Sequence, residues 1–207
     1  MKLFTAAALA LFATAPAFAI APAFTVDFEK SWDYLDGSVN GYYAGGTAAD
    51  GTSGANLGVS FSGVSGLSND ANFTYYSGAP SPQGVAYAYA DSSFMNVAAG
   101  VQSSLTFAYS SATSVLGAVK AYSGLNGTGN LLGSFDLAAN TSGGYGTWSS
   151  ATFAFSGVAA SFDLSSSVNA VAFDNISNVS AVPEPSTYAM MLLGGGLLMV
   201  ARRFKRG

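Results

Sequence analysis

Chemistry in this chain falls to carboxylates, aromatic rings and hydroxyls, because its 207 residues include no His and no Cys. The first absence removes Ser-His-Asp and Cys-His catalysis and the commonest nitrogen ligand for metals. The second removes thiol nucleophiles, disulfides and thiolate zinc sites. Two acid pairs close in sequence, Asp27 with Glu29 and Asp33 with Asp36, have the residue types of a glycosidase, which sets an acid against a base or nucleophile at a defined separation. Nothing in their spacing specifies a cleft, so glycosidase activity ranks last and the chain is read as non-enzymatic. Two binding chemistries rank higher. Calcium takes six to eight oxygens from carboxylates, Asn side chains and carbonyls, and needs neither missing residue type. Pyranose rings lie on flat aromatic faces, and Trp32, Tyr42 and Tyr43 flank a Gly-rich stretch. These three are the candidate ligand-binding rings, expected to be exposed while most other Trp and Tyr side chains pack inside.

Only 9% of the residues are charged, half are apolar, and 25 are Gly. That is too apolar for a chain kept disordered by charge, so it must bury a core. The isoelectric point near 4.4 argues against nucleic acid as a partner, since phosphates demand clustered Lys and Arg. Between the two terminal segments about ten carboxylates face only Lys30 and Lys120, a net charge near −8.

The elements that must position these residues are strands. Alternating or β-branched and aromatic stretches at 24–29, 57–61, 73–76, 85–89, 104–109, 115–122, 131–137, 147–155 and 170–179 are separated by Gly, Ser, Asn and Asp clusters with turn chemistry. Leu105, Phe107 and Tyr109, and again Phe153 and Phe155, fall two apart and so share one face of a strand. No stretch holds a helical period, and no fixed repeat supports a solenoid. The fold class predicted is all-β, a two-sheet β-sandwich over residues 20–181, with 34–53 as a long loop or irregular edge.

Both ends read as addresses. Met1 and Lys2 precede an apolar run, and Ala17 and Ala19 make the small-x-small pattern of signal-peptide cleavage, so 1–19 is assigned to a signal-peptide helix and signal peptidase is a predicted partner. At the other end Val182, Pro183, Glu184 and Pro185 open a motif at 182–187. An uncharged transmembrane helix follows at 188–201, then a basic tail at 202–207 with Arg202, Arg203, Lys205 and Arg206. The span is roughly 21 Å long as a helix, short of a hydrocarbon core of about 30 Å, so it anchors weakly. The basic residues hold the tail in the cytoplasm and leave the domain outside.

This three-part order resembles the PEP-CTERM sorting signal, a segment also labelled the ice-binding protein C-terminal domain; that label describes the address and not an ice-binding face. The resemblance implies recognition and processing by an exosortase-type enzyme and a transient anchor in the inner membrane of a Gram-negative bacterium. It also implies a final place at the cell surface or outside it, in an exopolysaccharide or biofilm setting. The expected function is therefore a sorted surface or matrix protein, with a secreted carbohydrate-binding module that contacts exopolysaccharide as the alternative.

More weakly, the middle resembles the jelly-roll domains found with such signals. The residues behind this are Asp27-Phe28-Glu29, Asp50-Gly51-Thr52-Ser53-Gly54 before Leu57-Gly58-Val59-Ser60-Phe61, the Gly-rich run at 122–129, and Ala172-Phe173-Asp174-Asn175-Ile176 in the last strand. That resemblance implies a structural calcium joining first and last strands; Glu29 and Asp174 match the ligand positions, with Asp27, Asp50 or a loop carbonyl as additional candidates.

Overall fold

A computed structural model of the chain describes residues 21–178 apart from 34–35, 69–75, 77 and 143. The expected signal peptide with Ala17 and Ala19, the strand expected at 73–76 except for Tyr76, which lies in a turn, and the whole sorting segment lie outside the described residues. That segment includes Val182, Pro183, Glu184, Pro185, Arg202, Arg203, Lys205 and Arg206. Among the described residues no helix is long and apolar enough to cross a membrane.

The described residues are all-β, as the turn-punctuated alternation predicts. Nine strands form in chain order: β1 (Thr25–Val26), β2 (Val59–Ser62), β3 (Val64–Ser68), β4 (Gly84–Ala88), β5 (Phe94–Ser111), β6 (Val115–Tyr122), β7 (Leu131–Leu137), β8 (Ser149–Asp163) and β9 (Val171–Asn178). Every ladder is antiparallel. The main order is β3-β4-β9-β5-β8-β6-β7, with β1 added to β9 and β2 to β5.

This hydrogen-bonded path folds over on itself because its two longest strands bend. The β5–β8 register shifts between Asn96 and Val101 and again between Gln102 and Ser104. Extra residues at such bulges turn the strand. Gly100 and Gly157 take φ of +82° and +89° at the bend, a conformation that costs glycine nothing. Before the bend β5 pairs with β2 and the end of β8; beyond it, β5 pairs with β9 and the start of β8.

Two layers result, and their inner faces meet. Although β7 hydrogen-bonds only to β6 among these strands, its Phe135 ring lies 6.1 Å from that of Phe107 on β5 and 5.5 Å from that of Phe153 on β8. Phe28, just after β1, lies 5.8 Å from Phe61 on β2. Phe28, Phe107, Phe153, Phe162 and Phe173 are fully buried, and each stabilises the fold by about 2–3 kcal/mol relative to an exposed ring. Leu105, Phe107 and Tyr109 all face this core.

Polar side chains fasten the first strand. The Asn178 side-chain oxygen accepts from Phe24 N at 2.7 Å and its amide donates to Pro22 O at 3.1 Å, tying residues 22–24 to the end of β9. The stretch between β1 and β2 stays irregular, as expected of 34–53. Its described residues form only isolated bridges, Ser38 with Ser65, Ala44 with Asn56, and Thr47 with Ser53.

Candidate functional site

β9 carries an extra residue where Thr106 pairs with Ser177 and Ala108 pairs with Asp174. At this bulge Asn175 takes a φ of +48°. Both side chains reach the loop that leads into β4. Ser81 N donates to Asp174 Oδ2 at 2.7 Å, Asn175 N donates to Asp174 Oδ1 at 2.7 Å, and Ser81 Oγ donates to Asn175 Oδ1 at 2.8 Å. From the other side Glu29 Oε1 accepts from Gln83 N at 2.6 Å, and the Gln83 amide donates to Ser31 Oγ at 3.2 Å. Glu29, just past β1, and Asp174, at the β9 bulge, therefore clamp residues 81–83 from two sides.

Asp174 is 0% exposed. Burial pushes its carboxyl up to about 7; the Ser81 and Asn175 N–H groups oppose the rise, and the charges of Glu29 and Asp27 add to it. A protonated carboxyl here removes a buried charge at little cost.

The first and last strands do bring Asp27, Glu29 and Asp174 into one neighbourhood, but these residues do not fit calcium as arranged. Among the described residues no group of three or more acids is placed to hold a metal. Asp174 has both oxygens on backbone N–H groups, and Asp27 Oδ1 accepts from Glu29 N at 3.3 Å. Asp50, the further candidate, is ion-paired with Lys30. That ammonium and the Thr52 hydroxyl and N–H hold its carboxyl below the usual range. The second acid pair also serves a local turn, with Asp33 Oδ1 accepting from Asp36 N at 3.2 Å.

The ring candidates divide. Trp32 and Tyr43 are buried, at 6% and 5% exposure, which corrects the expectation that they flank the loop from outside. The indole Nε1 donates to Phe28 O at 2.9 Å, and a Cβ on Gly66 would overlap the indole. Glycine's missing side chain is what lets the ring lie flat against β3. Tyr43 meets Phe28, Tyr42 and Phe61 edge-on at 5.7, 5.1 and 6.3 Å. Burial first, then the charge of Asp27, pushes its phenol far above the ordinary range.

Tyr42 is half-buried, edge-on to Trp32 at 5.2 Å, and lines a cleft of about 390 Å³. Asp36, Ser38, Asn40, Thr47 and Tyr89 share this cleft. Tyr89 is 48% exposed. Ser38 Oγ is buried there with no hydrogen-bond partner among the described residues. Sequence reasoning set Tyr89 among the aromatic rings expected mostly to pack inside, and passed over Asn40 and Ser38. The available signal was the alternation Ala86, Tyr87, Ala88, Tyr89, in which both alanines point to the core and both tyrosines away from it.

A second, smaller cavity of about 170 Å³ is lined by Leu67, Tyr76, Tyr87, Tyr145, Val171 and others. Its Tyr76 and Tyr145 rings lie 5.7 Å apart. Trp148 packs against the same cluster, and its buried Nε1 has no partner among the described residues.

The described residues are thus all-β, and the C-terminal segment follows β9 in the sequence. Residues 181–206 of that segment match the family model of the PEP-CTERM protein-sorting motif. The chain carries this signal, which supports an exported protein with a membrane-anchored precursor that an exosortase-type enzyme sorts. No curated protein matches the chain. The motif match covers the tail alone, so the ectodomain takes no activity from it.

Proposed function

We propose that the chain is a non-enzymatic protein of the cell surface or extracellular matrix, exported through its signal peptide and released from a temporary inner-membrane anchor in an exopolysaccharide-producing, biofilm-forming Gram-negative bacterium. The observation that carries this reading is the sorting motif at 181–206. A non-catalytic role is supported by a chain without His or Cys. It is also supported by acid pairs whose oxygens serve local turns and a buried loop clamp. An anionic, almost lysine-free domain suits a hydrated matrix, where net charge keeps chains apart.

The test is the mature C-terminus. Full-length protein is expressed in an exosortase-bearing strain and its exosortase deletion, and the released and membrane fractions are read by mass spectrometry. The expected result is a released form ending near Pro183–Pro185, with uncleaved precursor held in the membrane of the deletion strain and of the Pro183→Ala/Glu184→Ala/Pro185→Ala variant. A released form that still ends at Gly207 overturns the reading.

A further inference from the structure

We infer that the cleft between the irregular 36–49 segment and the end of β4 is a binding site for a neutral pyranosyl oligosaccharide. A pyranose has an apolar face of C–H groups and a rim of hydroxyls, so it needs aromatic surface and short polar side chains within one cleft. Tyr42 and Tyr89 supply the rings, and Tyr89 is 48% exposed at the edge of the cleft. Asn40 supplies an amide, Asp36 a carboxylate and Thr47 a hydroxyl, all lining the same space.

The polar side chains open to a ligand are the exposed Asp36, Asn40 and Thr47, whereas Ser38 Oγ is buried and closed to the cleft's contents. By contrast, the acids of the 81–83 clamp spend their oxygens on the protein's own N–H groups. Charge selects among sugars. No Lys or Arg is among the cleft's lining residues and Asp36 is, so anionic polymers are repelled and neutral ones are not. The volume of about 390 Å³ is at the lower end for a small-molecule site, enough to seat a terminal or internal unit of a chain whose remainder lies in solvent.

The test uses the full-length protein in a zwitterionic, sugar-free detergent, since glycoside detergents would compete. Cellohexaose, maltohexaose and mannohexaose are titrated calorimetrically, with dextran sulfate as the charged control. The expected result is binding of at least one neutral hexasaccharide. Tyr89→Ala should weaken that binding about tenfold, whereas Tyr89→Phe, which keeps the ring, stays close to the parent. Because Tyr89 is exposed, both variants should melt where the parent does, which separates lost binding from lost fold. The inference is overturned by no neutral sugar binding at about 10 mM, by binding that Tyr89→Ala leaves intact, or by binding of dextran sulfate alone. Binding lost in Tyr145→Ala but kept in Tyr89→Ala would assign the sugar to the smaller tyrosine cavity and overturn it as well. The outcome is independent of routing: a correctly trimmed protein that binds none of these sugars sinks this inference only, and an untrimmed one that binds sinks the sorting reading only.

Discussion

The clamp at residues 81–83 and the cleft at 36–49 are built from the same residue types, yet they treat their polar atoms in opposite ways. In the clamp both Asp174 oxygens, one Glu29 oxygen and the Asn175 side chain are committed to the protein's own donors, within 2.6–2.8 Å. In the cleft Ser38 Oγ is buried without a partner among the described residues and Tyr89 stands half-exposed. A satisfied polar cluster is a structural device; exposed polar side chains in a surface cleft, here Asp36, Asn40 and Thr47, keep bonding capacity for something else. The division also shows why a count of carboxylates misleads about function in this chain.

Trp32 underlies both regions, since its ring touches Tyr42 of the cleft and its indole N–H is fixed on Phe28, next to Glu29 of the clamp. Trp32→Ala is therefore the largest single lesion. It leaves a cavity under both and should lower stability by about 3–5 kcal/mol, measured by denaturant unfolding. If loss of the ring costs well under 1 kcal/mol, the two regions do not share a foundation. Asp174→Ala comes next and separates them. It orphans the Ser81 and Asn175 N–H groups, at about 1–3 kcal/mol, yet should leave cleft binding unchanged, because none of the cleft's lining residues belongs to the clamp.

The same carboxyl makes stability depend on pH. Its folded value, about 7, lies above the ordinary carboxylate value of about 3.9 in the unfolded chain. Between these values the folded state holds a proton that the unfolded state has released. Stability is thus greatest near pH 4, falls as pH rises toward 7, and levels off above it. Asp50, held low by Lys30, acts in the opposite direction and in another window, losing its contribution as pH falls below about 4. Thermal melting from pH 4 to 8 should show the decline, and Asp174→Asn should flatten it. A parent whose melting temperature rises between pH 4 and 7 would reverse the assignment.

Much of the scaffold was legible in the sequence, and the parts that were not have a physical cause. β6 and β7 form at 115–122 and 131–137, the stretches that alternation predicts. β3 was missed because Gly66 reads as a turn, although it is the strand's point of contact with Trp32. The first half of β5 and the second half of β8 were missed because Gly100 and Gly157 read as strand ends, whereas they bend continuous strands. The rings divided for a related reason. Glycines beside Trp32 suggested an exposed loop, but a residue without a side chain is also what allows a large ring to sink. At 85–89 periodicity showed two faces without saying which one is inside; Ala86 lies opposite Phe173 and Tyr87 opposite Ala172, so volume matching across the strands placed the alanines inward.

Calcium gives the smallest expected effect and the sharpest test of how clamp and cleft differ. A Ca²⁺ ion at Glu29 and Asp174 would compete with the Gln83, Ser81 and Asn175 N–H groups for electron density on three carboxylate oxygens and would have to remove a proton from Asp174 near neutral pH. Binding to the folded state alone would raise stability by RT ln(1 + [Ca²⁺]/Kd), several degrees if Kd were far below the millimolar concentration applied. We therefore expect chelator-treated protein to melt at the same temperature with and without millimolar calcium. A rise that Glu29→Gln abolishes would make the clamp a metal centre, and its polar atoms would then be committed to an ion instead of to the loop.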